Sequence, residues 1–236
     1  MKILFCGILI GILGMSGETR LVDDGHSLIR VVEIPAEQNL LESAVVENFP
    51  PLQKFREDVS AKTLTDPFYL LRRQRVLFET KFKNEVPVFD AVLDEKLGTI
   101  VPMRNLEAQL LEALFQFSEV PSEFQAFILR KKDSYRIYWL GSNRELTPPR
   151  TENVLASLLK DVMQEGWTFF SHLHNHPFIF DNPFNDIAGT LIPSGSDRTH
   201  MKNLQKDHGL PLPEEMWITN GFHTIVMSRE EIQQLR

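Results

Sequence analysis

The second half of the chain alternates between two hydrophobic periodicities, one typical of helices and one typical of strands. Apolar residues recur at helical spacing from Leu106 to Phe117 and again from Thr151 to Gln164. Runs rich in aromatic and β-branched residues lie between and after them, at 124–129, 135–140 and 167–174. Helices and strands in such alternation bury their apolar faces best as layers. The pattern predicts an α/β sandwich.

Composition limits the number of domains and the kinds of partner. A chain of 236 residues with 42% hydrophobic content can bury one sizeable core, or one core with a small appendage. The formal charge is -7, with 24% charged residues of both signs. This balance provides no basic surface for nucleic acid. We therefore expect a mildly acidic globular protein with no nucleic-acid partner.

The first residues have the pattern of a secretory signal peptide. Lys2 precedes an apolar run from Ile3 to Leu13, and the small residues of Gly14-Met15-Ser16 follow. The run is about half of the roughly 20 residues that a membrane-spanning helix needs. We expect residues 1–16 to be a signal peptide and the mature protein to be secreted or periplasmic, with no membrane span. An uncleaved anchor and a buried helix remain alternatives. The only cysteine, Cys6, lies in this run, so cleavage would leave no disulfide and no cysteine-ligated metal.

Residues 17–98 mix short apolar stretches with punctuating prolines at positions 35, 50, 51, 67 and 87. Neither repeats nor low-complexity segments are present. We predict an irregular N-terminal extension with short strands and one or two helices, and a regular domain over residues 99–236. No recognisable chemistry falls in the extension.

Candidate metal ligands follow the strand predicted at 167–174. Residues two apart on a strand point to the same face and lie about 6 to 7 Å apart, so His174 and His176 can converge on one ion. Asp197 is a plausible third ligand, because it follows Pro193-Ser-Gly-Ser196 and would begin a helix. Zinc accepts imidazole nitrogen and carboxylate oxygen, with three protein ligands at catalytic sites. Ser194 and Ser196 could also be helix N-caps, and for Ser196 that interpretation is preferred.

These residues resemble the motif of the JAMM or MPN-domain (Mov34/JAB-like) zinc metallopeptidases, which is a glutamate, then His-x-His-Pro, then Ser-x-x-Asp. His174-Asn-His176-Pro177 matches the second element and Ser194-Gly-Ser-Asp197 the third. Pro121-Ser122-Glu123 stands where the family has its glutamate, 51 residues before His174. The resemblance covers residues 100–236. It implies a mixed β-sheet flanked by helices, of the cytidine-deaminase-like kind.

The resemblance also implies a role for each residue. His174, His176 and Asp197 would bind Zn²⁺, and Glu123 would accept a proton from the water that fills the fourth ligand position. Ser194 would donate a hydrogen bond to the oxyanion that forms on the scissile carbonyl. The chemistry agrees, since zinc lowers the pKa of bound water toward 7 and a nearby carboxylate can pass its proton to a departing amine.

Two features depart from the family pattern. The step from His176 to Ser194 is 18 residues, several more than usual, and Ala126 stands where glycine is common. The apolar residues at 178–180, 184, 187 and 191–192 are a candidate flap beside the metal. An insertion packed onto the domain is the alternative.

Other histidines and other families are weaker candidates. His172 is expected to pack beside the site, and His200 is not required by the motif. A metallo-β-lactamase site would need an aspartate where Phe178 stands, and a nucleobase deaminase would need cysteines. Two alternatives stay open: a non-catalytic MPN-like scaffold and a protein that binds zinc without hydrolysis.

The expected substrate class follows from the motif and from the signal peptide. Many relatives in the family cleave isopeptide bonds, but export would remove this protein from the cytosol. The sequence therefore predicts hydrolysis of peptide or isopeptide amide bonds in a protein, a peptide or peptidoglycan. It does not choose among these three.

Overall fold

A computed structural model of the chain describes residues 18–21, 26–36, 39–57, 59, 61–118, 122–145, 152–177 and 189–235. The strands of this described part are β1 (Glu18–Leu21), β2 (Ser27–Pro35), β3 (Thr99–Pro102), β4 (Ser122–Lys131), β5 (Ser134–Glu145), β6 (Thr168–Asn175), β7 (Glu215–Thr219) and β8 (His223–Ser228). They form one eight-stranded sheet in the order β1-β2-β5-β4-β6-β7-β8-β3.

Helices cover both faces of this sheet. They are α1 (Pro50–Glu57), α2 (Ala61–Thr65), α3 (Pro67–Lys81), α4 (Val86–Leu93), α5 (Asn105–Phe117), α6 (Glu152–Gln164), α7 (Gly195–Lys206) and α8 (Arg229–Gln234), with two short 3-10 helices at Val46–Asn48 and Lys83–Glu85. One apolar cluster contains α1 and α5, and another contains α3, α4, α6, α7 and α8. The sheet lies between these two clusters.

Strand β4 shows how one sheet serves two cores. Phe124, Ala126 and Ile128 are buried in the cluster of α1 and α5. Phe127 and Leu129 are buried in the opposite cluster. Successive side chains of a strand point to opposite faces, so a strand covered on both sides must be apolar throughout.

The sheet is mixed. Strands β6 and β7 pair in parallel, and all the other pairs of this sheet in the described residues are antiparallel. Helix α7 lies in the connection from β6 to β7, as a parallel pair requires a crossover. The predicted α/β architecture, with a mixed sheet flanked by helices, is confirmed at this level.

The elements predicted from periodicity in the second half are present. Helices α5 and α6 and strands β4, β5 and β6 agree with their predicted bounds to within a few residues. Gly166 follows α6 with φ +90°, a left-handed conformation that glycine adopts without a Cβ penalty. These segments therefore carry local signals strong enough to fix both type and position.

The prediction of irregular structure for residues 17–98 is wrong. Strands β1 and β2 extend the central sheet beside β5, and four α-helices follow, rather than one or two. Four of the five prolines that suggested irregularity begin helices: Pro50 and Pro51 start α1, Pro67 starts α3, and Pro87 lies in the first turn of α4. The fifth, Pro35, ends β2. Proline is tolerated there because the first helical N–H groups have no intrahelical partner.

The predicted signal peptide at residues 1–16 lies outside the described residues, so export stays a prediction. Within the described ranges, no helix has the length and apolar character needed to cross a membrane.

Candidate metal centre

Three side chains with metal-binding atoms converge beside the carboxyl ends of β6 and β7. Nε2 of His174 lies 3.2 Å from Nε2 of His176. The carboxylate of Asp197 places Oδ1 3.3 Å from Nε2 of His174 and Oδ2 3.4 Å from Nε2 of His176. The three residues expose only 9%, 13% and 16% of their side chains. This group can hold a metal ion.

The fold brings these residues together from two elements. His174 and Asn175 end β6, and the backbone N–H of His176 donates to the carbonyl of Thr219 at the end of β7. Asp197 lies in the first turn of α7, which begins beside the same strand ends. The sequence prediction that these three residues approach one another agrees with this geometry.

A capping box fixes Asp197. The N–H of Ser194 donates to Oδ2 of Asp197 at 2.6 Å, and the N–H of Asp197 donates to Oγ of Ser194 at 3.2 Å. The partial positive charge at a helix N-terminus further stabilises a carboxylate there. One oxygen of Asp197 is therefore held by the helix while both oxygens face the imidazoles.

Thr190 orients His176. Nδ1 of His176 donates to the carbonyl oxygen of Thr190 at 2.8 Å. A proton held on Nδ1 leaves the lone pair on Nε2, the atom that faces His174 and Asp197. The loop of Thr190 is held in turn by Asn220, whose Nδ2 donates to the carbonyl of Gly189 at 3.0 Å.

The imidazoles and the carboxylate shift one another's pKa values. Burial acts to lower the pKa of His176, but Asp197, Glu123 and the Thr190 carbonyl together raise it to about 9. Burial acts to raise the pKa of Asp197, but His174 and His176 hold it well below its ordinary value. For His174, burial outweighs Asp197 and lowers the pKa. The pocket favours a positive charge between the three side chains, which either a proton or a metal ion can provide.

Glu123 lies within electrostatic reach of this group. Burial raises its pKa to about 7, with His176 opposing the shift and Asp197 adding to it. Because β4 and β6 are antiparallel, the start of β4 and the end of β6 meet at one edge, and Glu123 is the second residue of β4. The carboxyl predicted to be the base therefore belongs to the same end of the sheet as the candidate ligands.

Ser194, the predicted oxyanion donor, is the N-cap of α7. Its Oγ accepts from the Asp197 N–H and lies 2.6 Å from Oγ of Ser196. The preference for Ser196 as the N-cap is wrong, since Ser196 is in the first turn. Ser194 was better placed to cap because its backbone precedes the helix and adopts an extended conformation.

His172 packs beside the group, as predicted. It is 3% exposed, and its ring meets the edge of Phe127 with the centroids 4.9 Å apart. Burial, with His200 and His174 adding, lowers the pKa of His172 well below its ordinary value. The ring of His200 is 5.2 Å from that of His172. His172 is thus a neutral residue that packs beside the candidate ligand His174.

The candidate flap is described only in part. Residues 178–188 lie outside the described residues, so a flap there stays a hypothesis. Leu191 and Ile192 are each 1% exposed and belong to the core cluster of α7. This end of the proposed flap packs into the domain instead.

Sequence reasoning missed Thr190, Asn220 and Asn175. Thr190 acts through its backbone carbonyl, which no residue pattern identifies. Asn220 and Asn175 act through side-chain amides that bond to the backbone of other segments, and those partners cannot be identified from local sequence.

In comparisons with protein-family models, curated proteins and solved structures, the chain gave no significant match.

Proposed function

We propose that this chain is a zinc-dependent hydrolase of the JAMM/MPN type, which cleaves peptide or isopeptide amide bonds with a metal-activated water. One observation carries the proposal: Nε2 of His174 and Nε2 of His176 lie 3.2 Å apart, each faces one oxygen of the Asp197 carboxylate at 3.3 to 3.4 Å, and the partly buried carboxyl of Glu123 lies within electrostatic reach of them. Each of these residues holds the place that the motif assigns to it.

The spacing of the donors supports zinc as the ion. Ligands about 2.0 to 2.2 Å from a tetrahedral ion lie roughly 3.3 to 3.5 Å from one another. Two imidazole nitrogens and one carboxylate oxygen match a catalytic zinc site, which keeps its fourth position for water. When bound, zinc would supply a Lewis acid and a water of lowered pKa.

Glu123 supplies the base in this proposal. A catalytic carboxyl works best when its pKa lies near the working pH, and burial moves Glu123 in that direction. It would take the proton of the attacking water and return it to the leaving amine. Oγ of Ser194 accepts from the Asp197 N–H and lies 2.6 Å from Oγ of Ser196, so its hydroxyl proton is free for a substrate when Ser196 is the donor of that pair. That proton would be donated to the developing oxyanion.

The arrangement of the elements also supports the assignment. Glu123 is the second residue of the strand after α5, the histidines lie at the end of β6, and Asp197 is in the first turn of α7, in the order that the resemblance implies. The proposal therefore includes the cytidine-deaminase-like fold for residues 99–236. Proteins, peptides or peptidoglycan outside the cytosol are the proposed substrates, which depends on the signal peptide predicted for residues 1–16.

The decisive experiment compares purified wild type with Glu123→Gln. Both should bind one zinc ion per chain, and the wild type should cleave members of a panel of peptides, isopeptides and peptidoglycan fragments far faster than Glu123→Gln, which should keep only a small residual turnover. Equal turnover by the two proteins would exclude Glu123 as the base. Zinc binding without turnover in either protein would favour a metal-binding module, and the absence of both would favour a scaffold.

A further inference from the structure

Asn175, between the two candidate histidine ligands, joins β6 to the start of β4 through its side chain. Its Oδ1 accepts from the N–H of Phe124 at 2.7 Å. Its Nδ2 donates to the carbonyl of Ser122 at 3.0 Å. The residue is 2% exposed, so both hydrogen bonds are shielded from water.

The residue between those two contacts is Glu123. The pairing of β4 with β5 shifts register between Ser122 and Phe124, so Glu123 lies at an irregularity of the strand. On the other side of β4, the backbone pairing with β6 begins only at Gln125 and His174. A residue at such a bulge is released from the regular ladder, and its side chain is re-aimed. The amide of Asn175 holds the backbone on both sides of this residue.

We infer that Asn175 is the positioning residue for Glu123, a role that rests on the proposed function. One side chain must accept from an N–H and donate to a carbonyl at the same time, and a carboxamide does both. Alanine would leave a buried N–H and a buried carbonyl without this partner. The segment His174-Asn-His176 therefore provides two candidate ligands and also fixes the direction of the base.

The first test is Asn175→Ala in the full chain, loaded with zinc. A misplacement of about 1 Å at a catalytic group costs about 100-fold in rate, so we expect a loss of that order in kcat with little change in KM. Zinc stoichiometry should stay at the wild-type value. Hydrogen exchange at the Phe124 amide should become about tenfold faster or more, because its acceptor is gone.

Thr224→Val is the matched control. Oγ1 of Thr224 donates to Oε2 of Glu107 at 2.7 Å, so this change also removes a buried hydrogen bond from the sheet, two strands away from β6. Its kcat and the Phe124 exchange rate should remain those of the wild type. If Asn175→Ala does not fold, Asn175→Gln keeps both polar groups on a longer arm and should show the same pattern.

A double variant separates positioning from general support. If Asn175 acts through Glu123, adding Asn175→Ala to Glu123→Gln lowers the residual turnover no further. A further loss in the double variant would overturn the inference, as would wild-type protection of the Phe124 amide in Asn175→Ala. The exchange measurement needs no turnover. It therefore tests whether Asn175 holds the backbone next to Glu123 even if the wild type cleaves nothing and the proposed function fails.

Discussion

Nδ1 of His176 donates a hydrogen bond to the carbonyl oxygen of Thr190, and this contact leaves Nε2 of the same ring facing Asp197. The carbonyl belongs to a loop that Asn220 ties to the turn between β7 and β8. The orientation of one candidate ligand thus depends on a residue 44 positions further along the chain.

Asn220→Ala should weaken zinc binding. Loss of the hydrogen bond to Gly189 frees the loop that orients His176, and such outer contacts are typically worth about 10- to 100-fold in metal affinity. Competition with a chromophoric chelator measures the change. Asn105→Ala is the control, since Asn105 also donates its amide to a backbone carbonyl, that of Asn39, which is not part of the loop that orients His176. Equal affinities in the two variants would contradict this role for Asn220.

Asp197→Asn should reduce zinc affinity by more than about 100-fold, because losing a ligand exceeds the usual cost of losing an outer contact. The substitution keeps the shape of the side chain and removes its charge. Asp207→Asn changes an exposed aspartate at the other end of α7 and should bind zinc as the wild type does. Titration by calorimetry distinguishes them, and unchanged binding by Asp197→Asn would exclude it as a ligand.

Zinc affinity should rise with pH up to about 9. In the absence of metal the pKa of His176 is about 9, so its proton must leave when the ion binds. The apparent dissociation constant should fall about tenfold per pH unit between pH 6.5 and 8.5. A dissociation constant that stays level over this window would show that no proton is displaced.

Protein from which a chelator has removed the metal should lose stability as the pH rises from 6.5 to 9. The pKa of His176 is about 9 in the folded protein, against an ordinary 6.5. Its contribution to the free energy of unfolding is therefore complete below pH 6.5 and is lost as the pH rises through 9. The change is at most about 3 kcal/mol. The pKa of His223 is lowered to about 4, mainly by burial, so that residue is neutral across this window. Urea unfolding of wild type and His176→Gln at both limits measures the effect, and the variant should show a smaller slope.

Glu107→Ala should destabilise the fold without altering zinc binding. The carboxylate of Glu107 is fully buried and accepts from the backbone and guanidinium of Arg104 and from Thr224. Removing one partner of a buried ion pair costs about 3 to 5 kcal/mol, because the remaining charge is left without compensation. Thr224→Val, which removes one hydrogen bond, should cost about 1 kcal/mol. Similar unfolding free energies for the two variants would contradict this ranking.

The sequence predicted those parts of the fold that carry local signals. Helix α5 has apolar residues in strict helical spacing, and the approach of His174 to His176 follows from strand parity. The placement of β2 beside β5 could not be predicted, because pairing between residues about a hundred positions apart leaves no local periodicity. The prolines were also misleading, because a proline fits both a loop and the first turn of a helix, and the local sequence does not distinguish the two.

The candidate site likewise contains residues that could be predicted from the sequence and residues that could not. Side chains that would contact the ion belong to a spaced motif and could be named from the sequence. Asn175 acts on the backbone of β4, and Thr190 acts through its own carbonyl on the ring of His176, so the partners of both residues are known only from the folded structure. A residue whose importance lies in what it orients has no signature of its own.

The candidate ligands lie at the start of a chain crossover and within it. His174 and His176 are at the end of β6, Asp197 starts α7, and the chain then returns to pair β7 in parallel with β6. An ion bound to all three would act as a cross-link that closes a loop between residues 176 and 197, restricting the unfolded chain as a disulfide does. Cys6 is the only cysteine, so the chain cannot form such a link within itself by oxidation. Bound metal would then protect this crossover from proteases, independently of any turnover.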